Sequence, residues 1–258
     1  MKNLISILIL SLPLCMVACS KDKLAEDLMS WYPTGEEWDD HINVIVEEAN
    51  KSKIESLINI DSTNTFGQLV ATHADVQTLQ NTVYDGSWVN IGYPGGDPGY
   101  QQGVCTDVVI RAYRFINIDF QELIHEDMKI AHIEYNKRYL TKKLDNNIDH
   151  RRTQNIQTYL TRIGAKISVP KVNDYKPGDI VFWDIAAGHT GIVSDKKSPN
   201  HEGYMVIHNI GGGAEIEDLL YTWTPMEVYR LNDDHVNKLQ ENCTFEYSYH
   251  EDFKRYVK

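Results

Sequence analysis

The hydrophobic period of this chain changes at Pro177. Before it, apolar residues recur at the 3.6-residue spacing of helices; after it, they alternate or run on as they do in strands. Phe66, Leu69, Val70, His73, Val76 and Leu79 form one amphipathic stripe. Val108, Ala112, Phe115 and Ile116 form another, with Arg111 and Arg114 between them on a face expected to stay wet. A mixed helical segment follows from His125 to Leu140. Ile156, Tyr159, Leu160 and Ile163 mark a further short helix that Gly164 closes. Lys176-Pro177-Gly178-Asp179 is then a turn, and residues 180–183, 188–194 and 204–210 read as three strands. Helices followed by an antiparallel meander predict an α+β fold with segregated layers. No internal repeat is visible.

The N-terminus reads as an export signal. Met1-Lys2-Asn3 is a short basic start, and Leu4 to Leu14 is an apolar run too short to cross a bilayer. It closes on Met16-Val17-Ala18-Cys19, which resembles the lipobox of bacterial lipoproteins. That resemblance implies cleavage before Cys19 and diacylation of its thiol. With no Asp after the cysteine, it also implies an outer-membrane anchor facing the periplasm. The expected organisation is a leader over 1–18, a tether with surface helices over 19–63, one domain over 64–231 and a charged appendage over 232–258. A net charge of −12 argues against nucleic acid or an anionic lipid surface as partner. Membrane contact is therefore expected only through the lipid on Cys19.

Of four cysteines, Cys15 leaves with the leader and Cys19 carries the lipid, so Cys105 and Cys243 remain. An exported protein can join such a pair as a disulfide. Against that, Cys243 lies in a polar tail beyond the last core-like segment. Cys105, in Gly103-Val104-Cys105-Thr106-Asp107, opens a helix behind the Gly- and Pro-rich loop Tyr93 to Gly99. In the first helical turn it meets backbone N–H groups without intrahelical partners, and the helix dipole there favours thiolate. It is the candidate nucleophile.

A thiol nucleophile needs a base and a group to orient that base. His189 and His208 fall on consecutive predicted strands, where side chains sharing a face meet at a strand spacing of about 4.8 Å. His189 is the candidate base and His208 its orienter. Asn209 competes for the last role, but alternation lets only one of the two neighbours face the site, and His208 is favoured. The same three residues as zinc ligands would lack the close-spaced pair such sites usually contain. No metal, nucleotide or flavin motif is present, and no cofactor is expected. Asp149-His150-Arg151-Arg152 reads either as an N-cap with a salt-bridged helix start, or as a substrate site. In the second case Arg151 or Arg152, with Asp149, would hold a substrate carboxylate. Gly211-Gly212-Gly213 lacks the context of a phosphate loop and reads as a flexible cleft rim.

These residues carry a family resemblance. Pro177-Gly178-Asp179-Ile180-Val181-Phe182, Gly188-His189-Thr190-Gly191-Ile192-Val193 and Ile207-His208 resemble the pattern of the NlpC-type cysteine peptidases of bacterial cell walls. The chain is more similar still to the domain-of-unknown-function family 1287. Its motifs stand here as Tyr93 to Asp97, Gly103 to Ala112, Asn147 to Arg152 and Val206 to Gly213, within about residues 64–231. The resemblance implies a papain-like, NlpC-like fold with the nucleophile helix packed on an antiparallel sheet, and a thiol hydrolase site. Residues 120–170 are an elaboration relative to the simpler cell-wall peptidases.

The expected activity is hydrolysis of an amide bond through a Cys105 thioester. Peptidoglycan stem peptides are the substrate class that family and compartment imply. The alternatives are an envelope-binding module without catalysis, and a thiol acyltransferase on the same scaffold.

Overall fold

The computed structural model describes residues 63–80, 82–135 and 143–248. The leader, Cys19, the tether and its helices lie outside these residues, as do part of the segment from His125 to Leu140 and the last ten residues.

Helix α1 (Phe66–Val76) starts on a capping box, with Thr65 and Gln68 satisfying each other's backbone N–H at 3.2 and 2.8 Å. Helix α2 (Cys105–Arg114) has an apolar N-cap, Val104, and the side chain of Asp107 takes its N–H at 2.7 Å instead. Helices α3 (Phe120–Ala131), α4 (Thr153–Arg162) and α5 (Asp233–Glu241) complete the helical layer. The short strands β1 (Val83–Tyr84) and β2 (Gln102–Gly103) pair in parallel just before α2.

The remaining strands form one antiparallel sheet. They are β3 (Lys166–Ile167), β4 (Ile180–Trp183), β5 (His189–Lys197), β6 (Tyr204–Asn209), β7 (Ala214–Glu217) and β8 (Glu227–Tyr229), in the order β3-β8-β4-β5-β6-β7. The protein is thus α+β, with helices on one side of a six-stranded sheet. Strand alternation divides the core in two. Ile180, Phe182, Ile192 and Ile207 face the helices, whereas Val181, Trp183, Val193 and Val206 join Tyr175, Leu220 and Val228 on the other face.

Two expectations fail here. Helix α2 has no wet face, because all ten of its residues are buried. Arg111 grips Asp97 of the Gly- and Pro-rich loop in a two-pronged pair at 2.8 and 2.9 Å, and Arg114 pairs with Asp119 at 2.8 Å. A helix enclosed on every side keeps its arginines only by giving each a carboxylate. Burial works against ionisation of Asp97, but Arg111 and Arg114 outweigh it and hold its pKa near 2.

Nor are residues 232–248 an appendage. Val236 and Leu239 of α5 are buried in the main core. Glu122 accepts from the backbone N–H groups of Thr244 and Phe245, and Asn117 accepts from Tyr247 N–H. The polar composition of this stretch hid an anchored segment, whose backbone N–H groups dock on Glu122 and Asn117 of the main domain.

Candidate active site

The site is assembled where the start of α2 meets the start of β5. Strand pairing of β1 with β2 places Tyr84 opposite Gly103, two residues before Cys105. The Cys105 thiol then lies against the backbone N–H groups of Thr190 and Thr106 and the Tyr84 hydroxyl. Thr190 follows His189 in the chain, so the nucleophile candidate touches the strand that carries the base candidate. Both cysteines are free thiols. Cys243 does not reach Cys105; its sulfur accepts from the Asp119 N–H at 3.3 Å, at the far end of α2.

The two histidines meet. His189 Nε2 is 2.9 Å from His208 Nδ1, and the rings are edge to face at 5.0 Å between centroids. His208 is therefore the residue that faces His189, while the Asn209 carboxamide oxygen is used on the Gly211 N–H. The close approach depends on Gly191. A Cβ there would stand 2.7 Å from Val206 Cγ1, 2.8 Å from Ile207 O and 3.0 Å from His208 Cβ. Trp183 and Trp223 wall the pair, with ring centroids 5.7 and 5.8 Å from His189.

A fourth group was missed by sequence reasoning. His208 Nε2 lies 2.8 Å from Glu217 Oε2, bent away from the line of a good hydrogen bond but well within electrostatic contact. Glu217 belongs to β7, whose partner residues put Glu215 opposite His208 and Glu217 one step along the same face. The alternation Ala214-Glu215-Ile216-Glu217 was the available signal. It was overlooked because the preceding glycines suggested an irregular rim.

The contacts favour one proton arrangement. A carboxylate at His208 Nε2 favours a proton on that nitrogen, which leaves His208 Nδ1 as an acceptor. His189 must then donate from Nε2, and its Nδ1 keeps a lone pair. This is the tautomer that a base needs.

Both reacting candidates rest uncharged. Burial pushes the Cys105 thiol up to about 11, and Asp107 adds to this. The N–H groups of Thr190 and Thr106 and the Tyr84 hydroxyl oppose it without prevailing. The expectation of a thiolate favoured by the helix end is thus reversed, because desolvation of a sulfur that is almost fully enclosed exceeds the field of one helix terminus. Burial, with His208 second, lowers His189 to about 4. Burial also lowers His208, with Glu217 pulling the other way.

The Asp149–Arg152 segment divides. Residues Asp149–Arg151 form a 3₁₀ turn ahead of α4. The Arg151 guanidinium is not turned to a ligand: its side chain and that of Asp107 are 1% and 3% exposed, and they pair through Nε–Oδ1 at 2.9 Å and an Nη–Oδ2 contact at 2.8 Å. Its remaining donors reach Asp85 O and Ser87 O at 3.3 Å. Arg151 therefore ties the turn to α2, which corrects its reading as a substrate clamp. The Asp149 carboxylate accepts from the Asp145 N–H at 2.7 Å and is half a structural cap. Arg152 does line the cleft.

That cleft, about 200 Å³, runs past Cys105 between Tyr84, Val104, Arg152 and Gly188. Through Ile148 and Arg152 it adjoins a second cavity of about 490 Å³ bordered by Trp88 and Asp145. A larger cavity of about 620 Å³ lies between α1, the Pro177-Gly178 turn and Asn232, and holds none of the reacting candidates.

Comparisons agree with the motif pattern. Residues 70–231 match the family described as domain of unknown function DUF1287. The chain is 42% identical over 164 residues to the uncharacterized protein YijF of Escherichia coli strain K12, covering 62% of this chain and 80% of that protein. No solved structure matches. With the match running from within α1 through β8 and so covering the helix-to-sheet site, this chain belongs to the DUF1287 family.

Proposed function

We propose that this protein is a thiol hydrolase with an NlpC-like, papain-like arrangement that cleaves an amide bond in the cell envelope, with peptidoglycan stem peptides as its substrate class. The observation that carries the reading is the chain of contacts from His189 through His208 to Glu217, together with Cys105 at the first turn of an enclosed helix, its sulfur against the N–H of Thr190, the residue after His189. His189 takes the Cys105 proton on Nδ1 as the sulfur attacks the amide carbon. The imidazolium then gives that proton to the leaving amine, and water hydrolyses the thioester with His189 again as base. His208 and Glu217 hold the tautomer and share the positive charge as it forms.

The Cys105 backbone N–H and the Tyr84 hydroxyl are the donors offered to the oxyanion. The Tyr84 phenol is well placed to stay protonated for this task, since burial and the neighbouring thiol raise it to about 12. Anchoring through a lipid on Cys19, at the outer membrane facing the periplasm, completes the proposal.

The test is turnover of stem peptides by the wild type and by Cys105→Ala and His189→Ala variants whose folding is checked by circular dichroism. Loss of cleavage in both supports the mechanism, and cleavage retained by Cys105→Ala sinks it. One observation favours a second reading, a binding module without catalysis: the thiol is enclosed and its pKa is raised rather than lowered. That reading requires that wild-type protein bind the peptide and never cleave it.

A further inference from the structure

The cavity beside the thiol cleft has a composition that the hydrolase chemistry does not use. One wall is the indole of Trp88, 57% exposed although it is a large aromatic ring. It is nonetheless fixed, because its Nε1 donates to Asp145 Oδ2 at 2.8 Å. Asp145 is itself held, accepting through Oδ1 from the backbone and side-chain N–H groups of Asn147 at 2.9 and 2.8 Å. An exposed ring clamped at its polar edge presents a preorganised apolar surface at little entropic cost to binding.

The charges around it cancel. Lys143 and Arg152 stand against Asp145 and Asp149 on the same walls, with Asn146 between them. An anion meets two carboxylates there and a cation meets two basic groups, so neither is the favoured ligand. A neutral molecule with one apolar face and many hydroxyls suits both features: the face stacks on the indole, and the hydroxyls serve donors and acceptors alike. At about 490 Å³ the space is of small-ligand size.

We infer that this cavity is a saccharide subsite in which Trp88 stacks on a pyranose ring. Arg152 and Ile148 border both this cavity and the Cys105 cleft, so a bound sugar sits next to the reacting centre. Joined to the hydrolase reading, on which only this last consequence rests, the substrate is a peptide that carries glycan.

The test uses the full chain with Cys105→Ala, titrated by calorimetry with a tetrasaccharide of β-1,4-linked N-acetylglucosamine and followed by saturation-transfer NMR. Trp88→Ala is expected to weaken binding about tenfold and to erase transfer to the ring protons. Trp88→Phe, which keeps a flat face, is expected to stay within about threefold. Because the ring is exposed, both variants should melt with the parent. No binding by the parent protein, or equal affinity in Trp88→Ala, overturns the inference. Cleavage of a sugar-free peptide by the wild type, with no sugar binding, overturns the subsite and leaves the thiol hydrolase. Trp88-dependent sugar binding without any turnover does the reverse.

Discussion

Arg151→Ala separates a structural arginine from a ligand-binding one. The pair with Asp107 has two contacts, 2.9 and 2.8 Å, between side chains that are 1% and 3% exposed. Removing the guanidinium leaves a buried carboxylate that keeps the Val104 N–H and the field of Arg111 but loses its paired cation. Orphaning one partner of such a pair costs about 3–5 kcal/mol. For a domain of this size each kcal/mol moves the melting temperature by about 2–4 °C, so the expected loss is roughly 6–20 °C. Arg152→Ala, at a residue that lines the cleft, is expected to stay within about 1 kcal/mol. Adding Asp107→Asn to Arg151→Ala should restore part of the loss, because the stranded charge is then gone. Calorimetry or urea unfolding of the four proteins reads the result. If Arg151→Ala melts with the wild type and loses only affinity for substrate, the assignment of Arg151 to the scaffold is wrong.

Other expectations follow from the same geometry. Glu217→Gln replaces a carboxylate that is 37% exposed, so stability should change by less than about 1 kcal/mol, while ¹⁵N spectra show the His189 tautomer no longer fixed; an unchanged spectrum refutes the relay. Gly191→Ala drives a methyl group into Val206 and Ile207 O and should cost about 1–3 kcal/mol in urea unfolding, a cost that a neutral result would deny. For pH, the unfolded imidazole of His189 gains its proton near 6.5 and the folded one only near 4. Stability is therefore complete above about 6.5, falls as pH drops from there to about 4 and levels off below it, a loss of about 3 kcal/mol from this residue. Buried His150, also held well below its usual range, adds to the slope. His189→Gln should flatten it, and parallel curves would refute the assignment.

What was legible in the sequence was whatever repeats with a period. The stripe from Phe66 predicted α1, Gly164 marked the end of α4, and strands β4, β5 and β6 were found by alternation. Strands β3 and β8, of two and three residues, were too short to show a period. The paired roles of charged residues were not legible, because a carboxylate that docks a buried arginine looks like any solvated charge until its partner is placed. Asp97 binds Arg111, Asp107 binds Arg151, and Asp179 binds Arg230 with two contacts at 2.6 Å. Much of what made the motifs around residues 93–97, 147–152 and 177–182 distinctive is thus the clasp around α2 and the sheet. The proposed reactivity rests on a few side chains beside this clasp.

That division bears on how the thiol would work. With burial pushing the Cys105 thiol up to about 11 and His189 down to about 4, moving the proton from sulfur to imidazole in the resting protein is uphill. Both shifts oppose a thiolate–imidazolium pair at rest, so on the proposed mechanism proton transfer accompanies attack on a bound carbonyl. Iodoacetamide alkylation of Cys105 in the free protein should accordingly rise with pH toward 11 and show no plateau below about 9. Reaction at the full thiolate rate near neutral pH would mean that the enclosure of the sulfur, and the ordering of burial over the helix end, had been misjudged.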